Sequence, residues 1–203
     1  MSTGKKLLIS GFEPFGGYNL NSSQLVVEAI SKESFTGLEL FTVILPVDFD
    51  KAADALLSKV KEINPEIIIA FGQAEGRKAL TPEKIAINLD SARIPDNAGE
   101  LRVNKAIIEK GADGYFSTLP IEKMVEAVKE CGLESEISLS AGAFLCNHIF
   151  YHLQHQLLER EVKSGFVHLP LVNEQIAQYP NQPSWALKDL VQGVRAAILS
   201  TLW

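Results

Sequence analysis

The stretch Ser140–Phe150, SAGAFLCNHIF, sets a cysteine where small residues give way to an amphipathic segment. Ile149, Leu153 and Leu157 recur after it at helical spacing, and Phe150 and Leu158 widen the apolar stripe. Cys146 therefore falls in the first turn of a helix predicted from Leu145 to about Lys163. Unpaired N–H groups and the positive dipole end favour a thiolate there, and such placement can bring a cysteine pKa well below about 8.5. A packed, inert thiol is the competing reading, because free cysteine is among the most buried residue types. Position alone leaves both open. Cys131 ends an amphipathic helix beside Gly132 and reads as a packing thiol.

A nucleophilic thiol needs a base. His148 is two residues along the same helix and so points to another face. His152 and His155 lie one and two turns further from the helix start. His148 and His152 share an i, i+4 face, but neither a third ligand nor an HExxH glutamate accompanies them. They read as helix-surface or packing residues, and no metal site is expected. His168, in GFVHLP, stands near the carboxyl end of an apolar strand, where the sites of open α/β sheets gather. A hydrogen-bonded strand histidine is the alternative there. A third group should orient the imidazole and stabilise its cation. The pattern does not choose among the 25 acidic residues, although Glu83 follows Pro82, which fixes the backbone before it.

The elements that must position these groups alternate. Apolar, β-rich runs at Lys5–Ser10, Glu39–Leu45, Glu66–Phe71 and Gly165–Leu169 read as strands, with further strands in KIAINLD (84–90) and SEISLS (135–140). Helices are predicted over 22–33 with a Ser cap, over 48–63 capped by Asp48 or Asp50, over 121–131 between Pro120 and Gly132, and from Ser184 to Leu202. Strands alternating with helices imply a mostly parallel sheet covered on both faces. Ser91–Ser117, with its scattered Gly, Pro and Asn, shows no clean period and reads as a long functional loop.

The bulk numbers narrow the class. With 46% hydrophobic and 22% charged residues the chain fits an ordinary globular domain, and no apolar run approaches the roughly 20 residues that cross a bilayer. A net charge of −6 argues against a nucleic-acid footprint. The amino terminus lacks the apolar region and cleavage site of a secretory signal, so a cytoplasmic location is expected, with both cysteines as free thiols.

Several segments, taken in order, resemble the pyroglutamyl peptidase I family. They are GFEPFGG (Gly11–Gly17), LPVDF (Leu45–Phe49), FGQAEGR (Phe71–Arg77), TPEKIAIN (Thr81–Asn88), ARIPDN (Ala92–Asn97), YFSTLPI (Tyr115–Ile121), AGAFLCNH (Ala141–His148) and GFVHLP (Gly165–Pro170). The resemblance spans nearly the whole chain. It implies one domain, 1–203, folded as a three-layer α/β/α sandwich around a mostly parallel, twisted sheet and commonly assembled as a homotetramer. It implies a thiol peptidase that needs no cofactor and removes an amino-terminal pyroglutamyl residue from peptides. The family's nucleophile falls on Cys146, its base on His168 and its acid on Glu83. Arg93 falls on the oxyanion position, Phe12 and Phe15 on the walls of the lactam pocket, and Asn21, Gln73 and Phe144 on other pocket positions. Read without the resemblance, Phe12 and Phe15 are core residues near a turn.

Those residue types suit the substrate. Pyroglutamate is a small, neutral, cyclised amide, so aromatic faces can bury its ring while a few polar groups satisfy its N–H and C=O. The chain also departs from the family pattern. Glu75 stands where glycine is usual and would be strained if the loop needed positive φ there. Ser22 follows Asn21 where proline is usual, LVNEQ follows the base strand, and Gly99–Gly111 diverges most. Two other classes compete. A nucleoside phosphorylase-like enzyme would use GFEPFGG as a phosphate cradle, although that run matches neither GxGxxG nor GxxxxGK[ST]. A peptide-binding module would keep the fold without turnover.

Overall fold

The computed structural model describes residues 4–178 and 180–202. Nine strands run in chain order: β1 (Lys5–Phe12), β2 (Leu38–Leu45), β3 (Ile67–Gln73), β4 (Thr81–Pro82), β5 (Ile85–Ile87), β6 (Gly114–Phe116), β7 (Lys163–Leu169), β8 (Leu171–Val172) and β9 (Ser184–Trp185). Five α-helices accompany them: α1 (Ser22–Ile30), α2 (Ala52–Ile63), α3 (Ile121–Glu130), α4 (Leu145–Gln156) and α5 (Leu187–Ser200). The central sheet has the order β2-β1-β3-β7-β4, parallel except for the short β4 at one edge.

Alternating strand residues feed two separate cores, which is why β1, β3 and β7 read as continuous apolar runs. Leu8, Ile68, Ala70 and Phe166 face α2 and α4. Leu7, Ile9, Ile67, Ile69, Phe71, Val167 and Leu169 face α1, α3 and α5. The result is a three-layer α/β/α sandwich, as the resemblance implied.

The caps are specific. Asn21, not a serine, caps α1, its side chain accepting from the Ser23 N–H at 2.9 Å. Asp48 Oδ1 accepts from the Asp50 and Lys51 N–H groups in the turn before α2, whose N-cap, Lys51, makes no side-chain cap bond. Gly132, at φ +77°, follows α3 at the predicted stop.

Several expected elements differ. SEISLS is not a strand. It touches the sheet edge through two bridges, Leu80 to Ser135 and Glu83 to Ser138, and the Ser135 and Ser138 hydroxyls bond nearby carbonyls. KIAINLD yields only β5, which pairs outside the main sheet with β6, a strand inside the segment that showed no period. α4 ends at Gln156 rather than near Lys163, because the chain must turn to start β7, where the Lys163 N–H donates to the Glu66 carbonyl at 3.0 Å. α5 starts at Leu187, since Ser184–Trp185 pairs with β8 and the Trp185 indole donates to the Lys78 carbonyl at 2.9 Å.

Candidate active site

β3 and β7 run side by side in parallel, with Gly72 paired to His168. Paired residues on parallel strands point to the same face. Gly72 and His168 therefore look toward the layer that holds α4. The Cys146 sulfur packs directly on Gly72: a Cβ built there would lie 2.8 Å from Sγ and 2.6 Å from Phe166 Cζ. The start of α4 can descend onto the sheet only because this strand position has no side chain. Phe166, two residues before His168, sets its ring 4.9 Å from the imidazole and completes a wall around the sulfur.

Behind the imidazole, His168 Nδ1 lies 2.7 Å from Glu83 Oε1. Glu83 is fully buried and follows Pro82 on β4, which pairs with β7 at the sheet edge, where a proline's missing N–H is tolerated. Its own N–H donates to the Phe166 carbonyl at 2.9 Å. Arg77 reaches the same carboxylate oxygen at 2.9 Å and also bonds Thr81 Oγ1 at 2.7 Å and the Ser140 carbonyl at 3.0 Å. One guanidinium thus ties the acid to the turn that leads into the cysteine.

Charge states follow from these contacts. Burial works to raise the Glu83 carboxyl, but the His168 hydrogen bond and charge, the Ser138 hydroxyl and Arg77 outweigh it, and the group lies below its ordinary value. The ionised carboxylate can only accept, so Nδ1 carries the proton and Nε2 keeps its lone pair. Burial lowers His168 below its ordinary value despite the pull of Glu83. Burial, seconded by the Glu83 charge, pushes the Cys146 thiol up to about 12. This corrects the expectation of a depressed thiol. The backbone N–H at the helix start and Arg77 both act to lower it, but desolvation is larger. Both shifts act toward a protonated thiol and a neutral imidazole.

A cleft of about 870 Å³ opens beside this pair, lined by Phe15, Phe144, Gln73, Arg93 and His168 among others. Phe15 and Phe144 stand with ring centroids 5.8 Å apart, and Phe49 backs Phe144 edge-on at 5.4 Å. Gln73 Oε1 accepts from the Ser22 N–H and from Gln175 Nε2, each at 2.9 Å, which fixes its carboxamide. The Arg93 segment is drawn against the cysteine turn by the Ser91 N–H, which donates to the Ala143 carbonyl at 2.8 Å. Further along, Arg102 spans Asp90, Glu100 and Asp50, and Asp90 holds His148 Nδ1 at 2.9 Å. His148 is thus a buried packing partner on the far side of α4 from the sulfur, as its spacing from Cys146 required.

Two expected pocket residues stand behind the cleft wall. Phe12, only 3% exposed, belongs to the core under α2 and α4, and its N–H donates to Ser23 Oγ. Asn21 spends its side chain on Ser23 and on the Glu13 carbonyl. Both fix the loop that presents Phe15, because each ends in the hydrogen bonds that anchor the start of α1. The strain foreseen at Glu75 is absent: Gly76 takes the left-handed conformation at φ +82°, and Glu75 does not.

Residue types alone did not single out Gly72, Arg77 or Phe49. A glycine inside the buried run IIIAFGQ was the available signal for Gly72. Nothing in the spacing pointed to Arg77, whose three partners come from separate segments.

A thiol packed on Gly72, an imidazole at the paired strand position and a buried carboxylate behind it are the groups a cysteine hydrolase on an α/β/α sandwich would use. The family model for pyroglutamyl peptidase matches residues 5–202. Pyrrolidone-carboxylate peptidases of Vibrio vulnificus and Streptococcus suis are 42% and 44% identical over 198 and 196 residues, covering 98% and 95% of this chain and 93% and 90% of theirs. The crystal structure of pyroglutamyl peptidase I from Bacillus amyloliquefaciens superposes with a TM-score of 0.94 at 36% identity, covering 98% of this chain and 95% of that one. A variant of the Pyrococcus furiosus pyrrolidone carboxyl peptidase gives 0.93 at 36% identity, covering 97% and 98%. The chain belongs to the pyroglutamyl peptidase family.

Proposed function

We propose that Cys146, His168 and Glu83 carry the reaction of this cysteine omega peptidase, which removes the amino-terminal pyroglutamyl residue from peptides. The observation that carries the assignment is the register of β3 and β7, which sets the sulfur over Gly72 beside an imidazole whose far nitrogen is held 2.7 Å from Glu83.

Phe15 and Phe144, in contact with each other, form one aromatic wall for the lactam ring, while Gln73 answers its polar edge. His168 Nε2 takes the thiol proton as sulfur attacks the scissile carbonyl. The oxyanion that forms is met by the Cys146 backbone N–H and by Arg93, each such donor being worth about 3–4 kcal/mol of barrier. The tetrahedral adduct collapses, the C–N bond breaks, and the imidazolium gives its proton to the departing amine. A water molecule, deprotonated by the freed imidazole, then attacks the thioester. Pyroglutamate leaves, and the proton returns to sulfur. Glu83 keeps the imidazole in the tautomer that makes both transfers possible. Phe12 and Asn21 serve from behind, by fixing the loop that presents Phe15.

The reading extends to the whole chain, 1–203, as one catalytic domain needing neither cofactor nor metal, cytoplasmic, and assembled as a homotetramer by its likeness to the family. Among the described residues no helix is long and apolar enough to cross a membrane. Release of a fluorescent amine from a pyroglutamyl amide tests the assignment. Prolonged iodoacetamide treatment and Cys146→Ser should each abolish it. Full turnover by the serine variant would defeat the mechanism, and an inactive wild type would defeat the substrate.

A further inference from the structure

The turn after β3 carries a carboxylate at the mouth of the cleft. Glu75 is exposed and lines the opening together with Tyr18, whose hydroxyl donates to Glu75 Oε2 at 2.8 Å. That bond joins the loop bearing Phe15 to the turn bearing Arg77, so the carboxylate stands at a fixed place. The turn flanks the imidazole side of the cleft. The Ala74 N–H donates to the carbonyl of Leu169, next to His168, and Arg77 ends on Glu83. Tyr18 also packs on Phe15, ring centroids 6.2 Å apart, so the carboxylate stands at the outer end of the aromatic wall. Glu75 and His168 line the same opening, so a peptide reaching His168 from outside passes within the field of that carboxylate.

Charge decides what that chain should carry. Of the two arginines that line the cleft, Arg77 is committed to Glu83, and Arg93 is assigned above to the oxyanion. Among the described residues no lysine or arginine pairs with Glu75. We propose that Glu75 is a specificity residue that favours peptides with lysine or arginine directly after the pyroglutamyl group and disfavours acidic ones. The proposal rests on the peptidase reading above.

The test compares release of free pyroglutamate from three dipeptide amides, pyroglutamyl-Lys, pyroglutamyl-Gln and pyroglutamyl-Glu, at low ionic strength. Exposed ion pairs are weak, so the expected preference in kcat/KM for Lys over Gln is about 2- to 5-fold, with Glu below both. The preference should shrink in 0.5 M salt, as a partly exposed pair is screened. Glu75→Gln keeps an acceptor for Tyr18 but removes the charge, and it should bring the Lys-to-Gln ratio close to one. Equal rates in the wild type, or a Lys preference that survives Glu75→Gln, overturns the proposal alone. No turnover of any of the three overturns the peptidase reading and the proposal with it.

Discussion

Gly72→Ala is the most direct probe of the geometry at the sulfur. The added methyl would lie 2.8 Å from Cys146 Sγ and 2.6 Å from Phe166 Cζ, where non-bonded atoms normally rest about 3.5–4.0 Å apart. Both contacts are too short, so the sulfur and the Phe166 ring must each give by roughly 1 Å. Phe166 is fully buried and its ring packs against Phe150 at 6.2 Å and against His168 at 4.9 Å, so it has little room to yield. The methyl therefore strains the Phe166 ring and lifts the Cys146 sulfur from its seat on the glycine. Overpacking of this kind costs about 1–3 kcal/mol of stability. A displacement near 1 Å in a reacting atom costs on the order of 100-fold in rate. Folded variant should therefore be recoverable, with kcat down about 100-fold and KM little changed, because the aromatic walls are untouched. Steady-state kinetics on a pyroglutamyl fluorogenic amide, with urea unfolding as the control for stability, would check this. A variant that unfolds at a normal urea midpoint and turns over at the wild-type rate would refute the placement of the sulfur over this glycine.

Two further outcomes follow from charge. Arg77→Met removes one charged partner of the buried Glu83 carboxylate, at a cost of about 1–3 kcal/mol. Because the folded Glu83 carboxyl lies below its ordinary 4.5, its stabilising contribution is present above that pH and is lost as pH falls through the lower folded value. The variant should therefore acid-unfold at higher pH than the wild type, as read by circular dichroism, and an unchanged acid midpoint would count against the clamp. In the pH–rate profile, kcat/KM should rise as His168 loses its proton at a midpoint below 6.5, then stay level through mild alkali, since the thiol is held up to about 12. A thiolate absorbance near 240 nm in the resting enzyme at pH 7 would contradict this protonation state.

Much of the site was legible from residue types, and what was not has a common cause. Cys146 stood at a helix start by periodicity, and His168 ended an apolar strand, because both depend on local pattern. Glu83 was not separable from the other acidic residues by pattern. What distinguishes it, burial between β7 and Arg77, exists only after distant segments meet. Position left thiol and thiolate both open for the same reason: the helix start is visible in sequence, whereas the desolvation that overrides it depends on packing. The serine-rich run at 135–140 is not a strand because hydroxyl-to-backbone bonds accompany only two isolated bridges there. The glycine-rich GFEPFGG run, weighed against a phosphate-cradle reading, presents Phe15 to the cleft, and membership in the peptidase family sets the phosphorylase reading aside.

The rim of the sheet beside Glu83 has a consequence for assembly. Pro82 has no N–H to offer an incoming strand, and the stretch at 135–138 already occupies the outside of that rim through its two bridges. A second copy cannot pair directly with β4 on this side. Continuous pairing between copies would have to begin at β2, the opposite margin, so multimers built that way would leave the buried acid undisturbed.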